Sequence, residues 1–341
     1  MLSEKERLGL ALKRKKVDRP PCICPGGMMN MIVEEVMDLT HCAWPEAHTN
    51  PKIMSDLAAG MYENGGFENF GVPFCMTIEA ESMGSKVFLG TKISEPRISS
   101  YAINSVTEWK KLKNLDINSG RAQVVLDAIK LLKGKNKNVP IIANLTGPIS
   151  TASSLMEPVK YYKELIVKPK ESHEMMDFVT DNLINFGKAQ LNAGADLITI
   201  SDPSGTGEIL GPRTFRKYGL FYINKIIDGL SKYSKYGIIV HICGRLKSIY
   251  KELNELHSDA ISFDAVTSIK QMCENVINKA IMGNVSTFSL QNSSLEEVTS
   301  LSENCLKSGV HILSPACGLG TTTPLKNIQA MVQTAKNLKK E

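Results

Sequence analysis

The sequence predicts the α/β class, as a single (β/α)8 barrel of the TIM type with a helical and β extension at its N-terminal end. From residue 139 onward, short apolar runs alternate with helical patterns at roughly 20–45 residue intervals, the signature of buried parallel strands joined by helices. The polar residues Asn144, Asp202, His241, Cys243, Asp264, Asn284 and Cys317 fall where those runs end, and in a barrel that end is the functional face. A length of 341 residues suits one large barrel, so residues 1–341 are read as one domain.

The elements follow in order. Residues 3–16 read as an amphipathic helix with Leu8 and Leu12 on one face, and Cys22-Ile-Cys24 as a short strand broken by Pro25. Cys22 and Cys24 would share one side of that strand, as small core residues or as a ligand pair lacking a second pair. Met28, Met29, Met31 and Met37 are placed on a helix to about Leu39, as pocket lining or helix core. Asn50 can cap a helix over 51–64 that stops at Gly65. His41 and His48 have no ligand partner at useful spacing, and Glu79 and Glu81 are expected on an extended segment as solvated or hydrogen-bonded acids. A β excursion over 85–102 and helices near 106–113 and 118–134 lead into the regular part.

There, strands are expected at 139–144, 195–201, 237–242, 259–263, 279–283 and 310–314. Helices are expected at 149–155, 158–167, 170–192, 212–233, 245–256, 268–276, 294–308 and 324–339, with Pro212 in a first turn. No GxGxxG or GxxxxGK[ST] follows a strand, which argues against a nucleotide-phosphate loop.

Composition narrows the class. Hydrophobic residues make up 43% and charged residues 22%, and no apolar run approaches the ~20 residues of a membrane span. The N-terminus lacks a signal-peptide core, so the protein is read as cytoplasmic and its eight cysteines as thiols or ligands. A net charge of +5 is scattered, and its densest run, Lys13-Arg-Lys-Lys16, has no interleaved aromatics of a nucleic-acid surface.

The chemistry concentrates in Gly237-Ile-Ile-Val-His-Ile-Cys-Gly244. Strand side chains alternate, so His241 and Cys243 point the same way at a strand tip. Cys317 stands just past another strand end. The three together would make a zinc site with an open fourth position; the bland reading keeps His241 and Cys243 as a buried core pair. Asp264 at the next strand tip is either a displaceable fourth ligand or the carboxylate that orients His241. A metal held by two thiolates favours activation of an incoming thiol over hydrolysis, because coordination makes a nucleophilic sulfur at neutral pH.

Asp18-Arg-Pro-Pro21, Trp44-Pro-Glu-Ala-His48, Asn144-Leu-Thr-Gly-Pro148, Asp202-Pro-Ser-Gly-Thr-Gly-Glu208, His241-Ile-Cys-Gly244 and Ser314-Pro-Ala-Cys-Gly318 together resemble the methylcobamide:coenzyme M methyltransferases of the uroporphyrinogen decarboxylase superfamily. The resemblance implies one α/β barrel and a zinc ion held by His241, Cys243 and Cys317, with Asp264 where an acidic ligand is expected. It implies a methyl group taken from a methylated corrinoid on a small partner protein and passed to a thiol such as coenzyme M, or to tetrahydrofolate. Asn144, Asp202, Met28 and Met29 are the candidate corrinoid contacts, while Arg213, Arg216 and Lys217 are chosen by charge for an anionic acceptor. Two rivals remain: a non-catalytic corrinoid-binding module, and uroporphyrinogen decarboxylase, which needs paired N-terminal arginines for its polycarboxylate. Between Arg19 and Arg97 there is no arginine, and Pro25-Gly-Gly-Met-Met29 stands in that stretch.

Overall fold

Strand formation follows the apolar runs closely. The computed structural model describes residues 2–338. Its main sheet contains β1 (Phe70–Val72), β4 (Ile141–Thr146), β5 (Leu197–Ser201), β6 (Ile238–Ile242), β7 (Ala260–Phe263), β8 (Ala280–Val285) and β9 (Ile312–Pro315). These seven strands lie side by side in chain order, and every pairing is parallel. All are buried along their whole length, as expected where helices cover one face of a sheet and the other curls upon itself. The hairpin β2 (Lys86–Phe88) and β3 (Arg97–Ser100) forms the expected β excursion outside this sheet.

The eighth position of the barrel is filled by the segment around Cys22, reduced to one bridge. Cys22 pairs with Leu313 of β9 in parallel, through Ile23 N donating to Leu313 O and Leu313 N to Pro21 O. On its other side, Glu68 N donates to Cys22 O just before β1. Cys22 and Cys24 are both fully buried, and Cys24 Sγ lies 3.0 Å from Met29 O, so they are core thiols.

The N-terminal helix Glu4–Leu12 covers the opposite end of the barrel from the strand tips. Lys5 N bonds Asn138 O ahead of β4, and its ammonium reaches Asp196 ahead of β5 at 2.9 Å. The helix stops four residues before the expected limit, because Arg14 turns left-handed (φ 55°) and its guanidinium donates to Ile277 O below β8.

Other departures have local causes. The methionine-rich segment is a short 3-10 turn (Gly27–Met29) and an extended stretch before helix Glu34–Thr40, because Asn30 O accepts from Leu319 N and its side chain bonds Ile32. Glu79 and Glu81 lie on a short helix, Ile78–Ser82. The buried Glu79 carboxylate accepts from Thr146 N and Oγ1 at 2.8 Å, while Glu81 pairs with Arg121. The helix expected over 212–233 begins earlier, at Gly207, and breaks at Gly211 (φ 67°) before Pro212, which has no amide to donate. A wide turn, Phe215–Leu220, then leads into helix Phe221–Leu230. The last helix is Leu325–Asn337; position 339 of the expected helix lies outside the described residues. Asn50 caps helix Pro51–Glu63 as the sequence indicates.

His48 sits 1% exposed against Trp44 and Phe74, with no hydrogen-bond partner for either ring nitrogen among the described residues. Burial, with the Arg121 charge adding, holds its pKa down at about 3. The unfolded chain binds a proton at an ordinary histidine pKa that the folded state refuses, so stability is full above about pH 6.5 and falls as pH drops toward 3. Chemical denaturation should show a histidine-dependent loss of about 1.4 kcal/mol per pH unit across that window, and His48→Leu should flatten it. An unchanged slope in the variant would contradict this.

Candidate metal centre

His241 and Cys243 come from one strand end. His241 is the fourth residue of β6 and faces the barrel interior, and Cys243 follows the last strand residue on the same side. Gly244 (φ 77°) turns the chain immediately afterwards; a Cβ there would strike Glu208 Oε2. Cys317 arrives from β9, two residues beyond Pro315. In a flat sheet, tips three strands apart would be separated by about 14 Å. The curl of the barrel instead brings Cys243 Sγ and Cys317 Sγ to 3.6 Å, and Cys243 Sγ to 3.1 Å from His241 Nε2.

These three donor atoms all lie within 4.8 Å of one another. A tetrahedral ion with ordinary Zn–S and Zn–N bond lengths sets its ligands about 3.6–3.8 Å apart. The Cys243–Cys317 separation matches that spacing and the His241–Cys243 one falls about half an ångström short of it, and the donors are the soft thiolate and imidazole set that suits zinc. His241 is fully buried while both thiols are partly open, which leaves the fourth side facing the mouth.

The two thiols share their protons unequally. The hydrogen bond from Cys243, helped by the His241 side chain, brings Cys317 down to about 5. Cys243 is pushed up by the Cys317 thiolate beside it, by burial and by the Asp264 charge.

His241 is oriented by a residue the sequence reading missed. Ser262, its register partner on β7, places Oγ 3.0 Å from Nδ1, so Nε2 is turned toward the cysteines. A serine one strand away carries no spacing signal; only the register brings the pair together. The bond to His241 Nδ1 comes from Ser262 and not from Asp264. Asp264 Oδ1 accepts from Val266 N at 3.1 Å, and Asp264 stands outside the three-donor group while its charge still reaches Cys243.

The other sequence-chosen residues separate into support and rim. Asn144 is 1% exposed, donates to Ser201 Oγ at 2.8 Å, and packs its amide against Gly27, where no side chain would fit. Asp202 is wholly buried and accepts from Ile149 N, Ser150 N and Ser150 Oγ; burial lifts its pKa to about 6. Both are enclosed beneath the mouth, with no surface to offer a large ring. Met29 is also enclosed, whereas Met28 is half-buried and its carbonyl lies against Gly318, next to Cys317. Arg216 is bound to Glu252 and Glu255, and Arg213 and Lys217 are exposed on the same broken helix. The reading also passed over Glu95, from the turn between β2 and β3. Its side chain is exposed at the surface, and its carboxyl is pushed upward by the protein around it and by the nearby Cys317 charge.

Comparison with known proteins agrees with this geometry. The uroporphyrinogen decarboxylase (URO-D) family profile matches residues 3–338. The chain is 34% identical to the methylcobamide:CoM methyltransferase MtbA of Methanosarcina acetivorans, over 98% of both chains. It is 31% identical to the methylcobamide:CoM methyltransferase MtaA of Methanosarcina barkeri, over 96% of both. A solved methyltransferase structure from Methanosarcina mazei superposes with a TM-score of 0.91, at 29% identity, covering 98% of this chain and 99% of that one.

Ser262→Ala should leave the fold intact and weaken zinc uptake by about 10–100-fold, the usual effect of removing the partner that fixes a ligating imidazole. Competition with a chromophoric chelator measures it, and an unchanged affinity would count against the orienting role.

Proposed function

The chain belongs to the uroporphyrinogen decarboxylase (URO-D) family and groups with its methylcobamide:CoM methyltransferases, and from that premise we propose that it moves a methyl group from a methylated corrinoid to a thiol. The observation that carries the reading is the meeting of His241, Cys243 and Cys317 at the barrel mouth, with donor atoms all within 4.8 Å of one another. Zinc held by these residues would lower the pKa of an incoming thiol and present its sulfur as a thiolate.

The chain's own contribution is placement. Ser262 fixes the imidazole, the turn at Gly244 aims Cys243, and the partly open thiols leave one face for the acceptor. The acceptor sulfur attacks the methyl carbon in line. Its lone pair becomes the new S–C bond, the Co–C pair stays on the metal of the corrinoid as Co(I), and the thiol proton leaves to solvent. Such a reaction depends mainly on holding two reactants in line. The donor is a flat macrocycle that we take to arrive on a small partner protein, since Asn144, Asp202 and Met29 are enclosed.

Decarboxylation of a polycarboxylate finds less support. Arg19, the last arginine before Arg97, is bound to the buried Glu68 carboxylate, which also accepts from Cys22 N at 2.9 Å, so that cation is part of barrel closure. No helix among the described residues is long and apolar enough to cross a membrane, and the eight cysteines are free, as suits the reducing cytoplasm in which we place the reaction.

Anaerobic absorbance spectra of methylcobalamin mixed with zinc-loaded protein and 2-mercaptoethanesulfonate should show thiol-dependent loss of the methyl-Co(III) bands. Cys243→Ala and Cys317→Ala should each lower that rate by about 100-fold or more and bind less than one zinc per chain. Absence of demethylation with any thiol, or a fully active zinc-free Cys243→Ala protein, would overturn the proposal.

A further inference from the structure

Arg245 stands two residues beyond Cys243, in the loop that carries the metal ligand. That loop is pinned at three points. Arg245 N donates to Glu208 Oε2 at 2.8 Å, Thr267 Oγ1 donates to Gly244 O at 2.9 Å, and Leu246 is fully buried. The backbone is therefore fixed while the Arg245 side chain is 75% exposed. Its guanidinium makes one long bond, Nη1 to Glu208 Oε1 at 3.3 Å, and Nε and Nη2 donate to no other described residue. An arginine held by its backbone and by one nitrogen presents the remaining N–H groups as a fork suited to a carboxylate or sulfonate.

Several other cations near the mouth are already engaged, while Lys247, two residues on, is exposed and serves as the control below. Lys92 is shared by Glu34 and Asp38, Arg97 lies over the Phe88 ring, and Arg121 is buried among Glu81, Cys75 and Thr77. Two residues of chain separate Cα atoms by at most about 7 Å, within the reach of an arginine side chain. A short thiol whose sulfur faces Cys243 and Cys317 would thus carry an acidic group on a two-carbon spacer to the neighbourhood of this guanidinium.

Resting on the thiol-acceptor reading above, we propose that Arg245, steadied by Glu208, binds the acidic tail of the acceptor and selects anionic thiols over neutral ones. Glu208 acts on the substrate only through Arg245 and is a positioning residue.

The test compares 2-mercaptoethanesulfonate, 3-mercaptopropionate and 2-mercaptoethanol, which separate sulfonate, carboxylate and neutral tails on similar thiols. The zinc-loaded protein should use both anionic thiols with higher kcat/KM than the neutral one. Arg245→Gln should shrink that preference about ten- to a hundredfold, chiefly through KM, and Arg245→Lys should restore part of it. Calorimetric titration of each thiol into zinc-loaded protein without corrinoid should show the same loss of selectivity. If methyl transfer fails with every thiol while calorimetry still shows Arg245-dependent anion selectivity, the methyl-donor reading falls and the anion site stands. Equal losses for charged and neutral thiols, no loss, or a loss that follows Lys247→Gln in place of Arg245→Gln would overturn the assignment.

Discussion

Everything at the mouth depends on the curl of one parallel sheet. Three strand steps in a flat sheet would hold Cys243 and Cys317 about 14 Å apart, too far for one ion to bridge. Closure brings the tips of β6 and β9 to sulfur contact, and closure in turn rests on a single bridge between Cys22 and Leu313 with Glu68 N completing the other side. Glu68 serves this junction further by joining Arg19 to Cys22 N through its buried carboxylate. The shortest stave of the barrel is thus reinforced by side chains where it lacks a full ladder.

The layer beneath the metal ligands is polar, buried and internally satisfied. Ser262 holds His241, Ser201 accepts from Asn144, and Asp202 takes three donors from the start of helix Pro148–Ser153. Buried polar groups are tolerable only when bonded in this way, and once bonded they fix the geometry above them. The more open layer above includes the half-buried Cys243, Cys317 and Met28 and the exposed Arg245.

A pair of thiols 3.6 Å apart beside an imidazole is electrostatically unsettled. One sulfur ionises readily and the second resists, because two thiolates at that distance repel. A divalent ion removes the conflict by accepting both. The arrangement is better matched to binding a metal than to remaining a pair of core thiols.

The sequence alone determined the strands, the tips on which chemistry would sit, and the three donors, because alternation along a strand and the softness of sulfur and imidazole are local properties. His241 and Cys243 declare a shared face through their spacing, and Cys317 declares a strand end through Pro315 and Gly318. Tertiary structure decided what lies beside what. Ser262 comes beside His241 through register, Arg245 is placed by a loop turned by Gly244, and Asp264 and Asp202 accept from backbone amides nearby. The methionine segment is bent by its contact with Leu319, and the helix expected from residue 212 is broken at Gly211. Neighbours across strands are set by closure of the whole sheet, and no window of sequence contains that information.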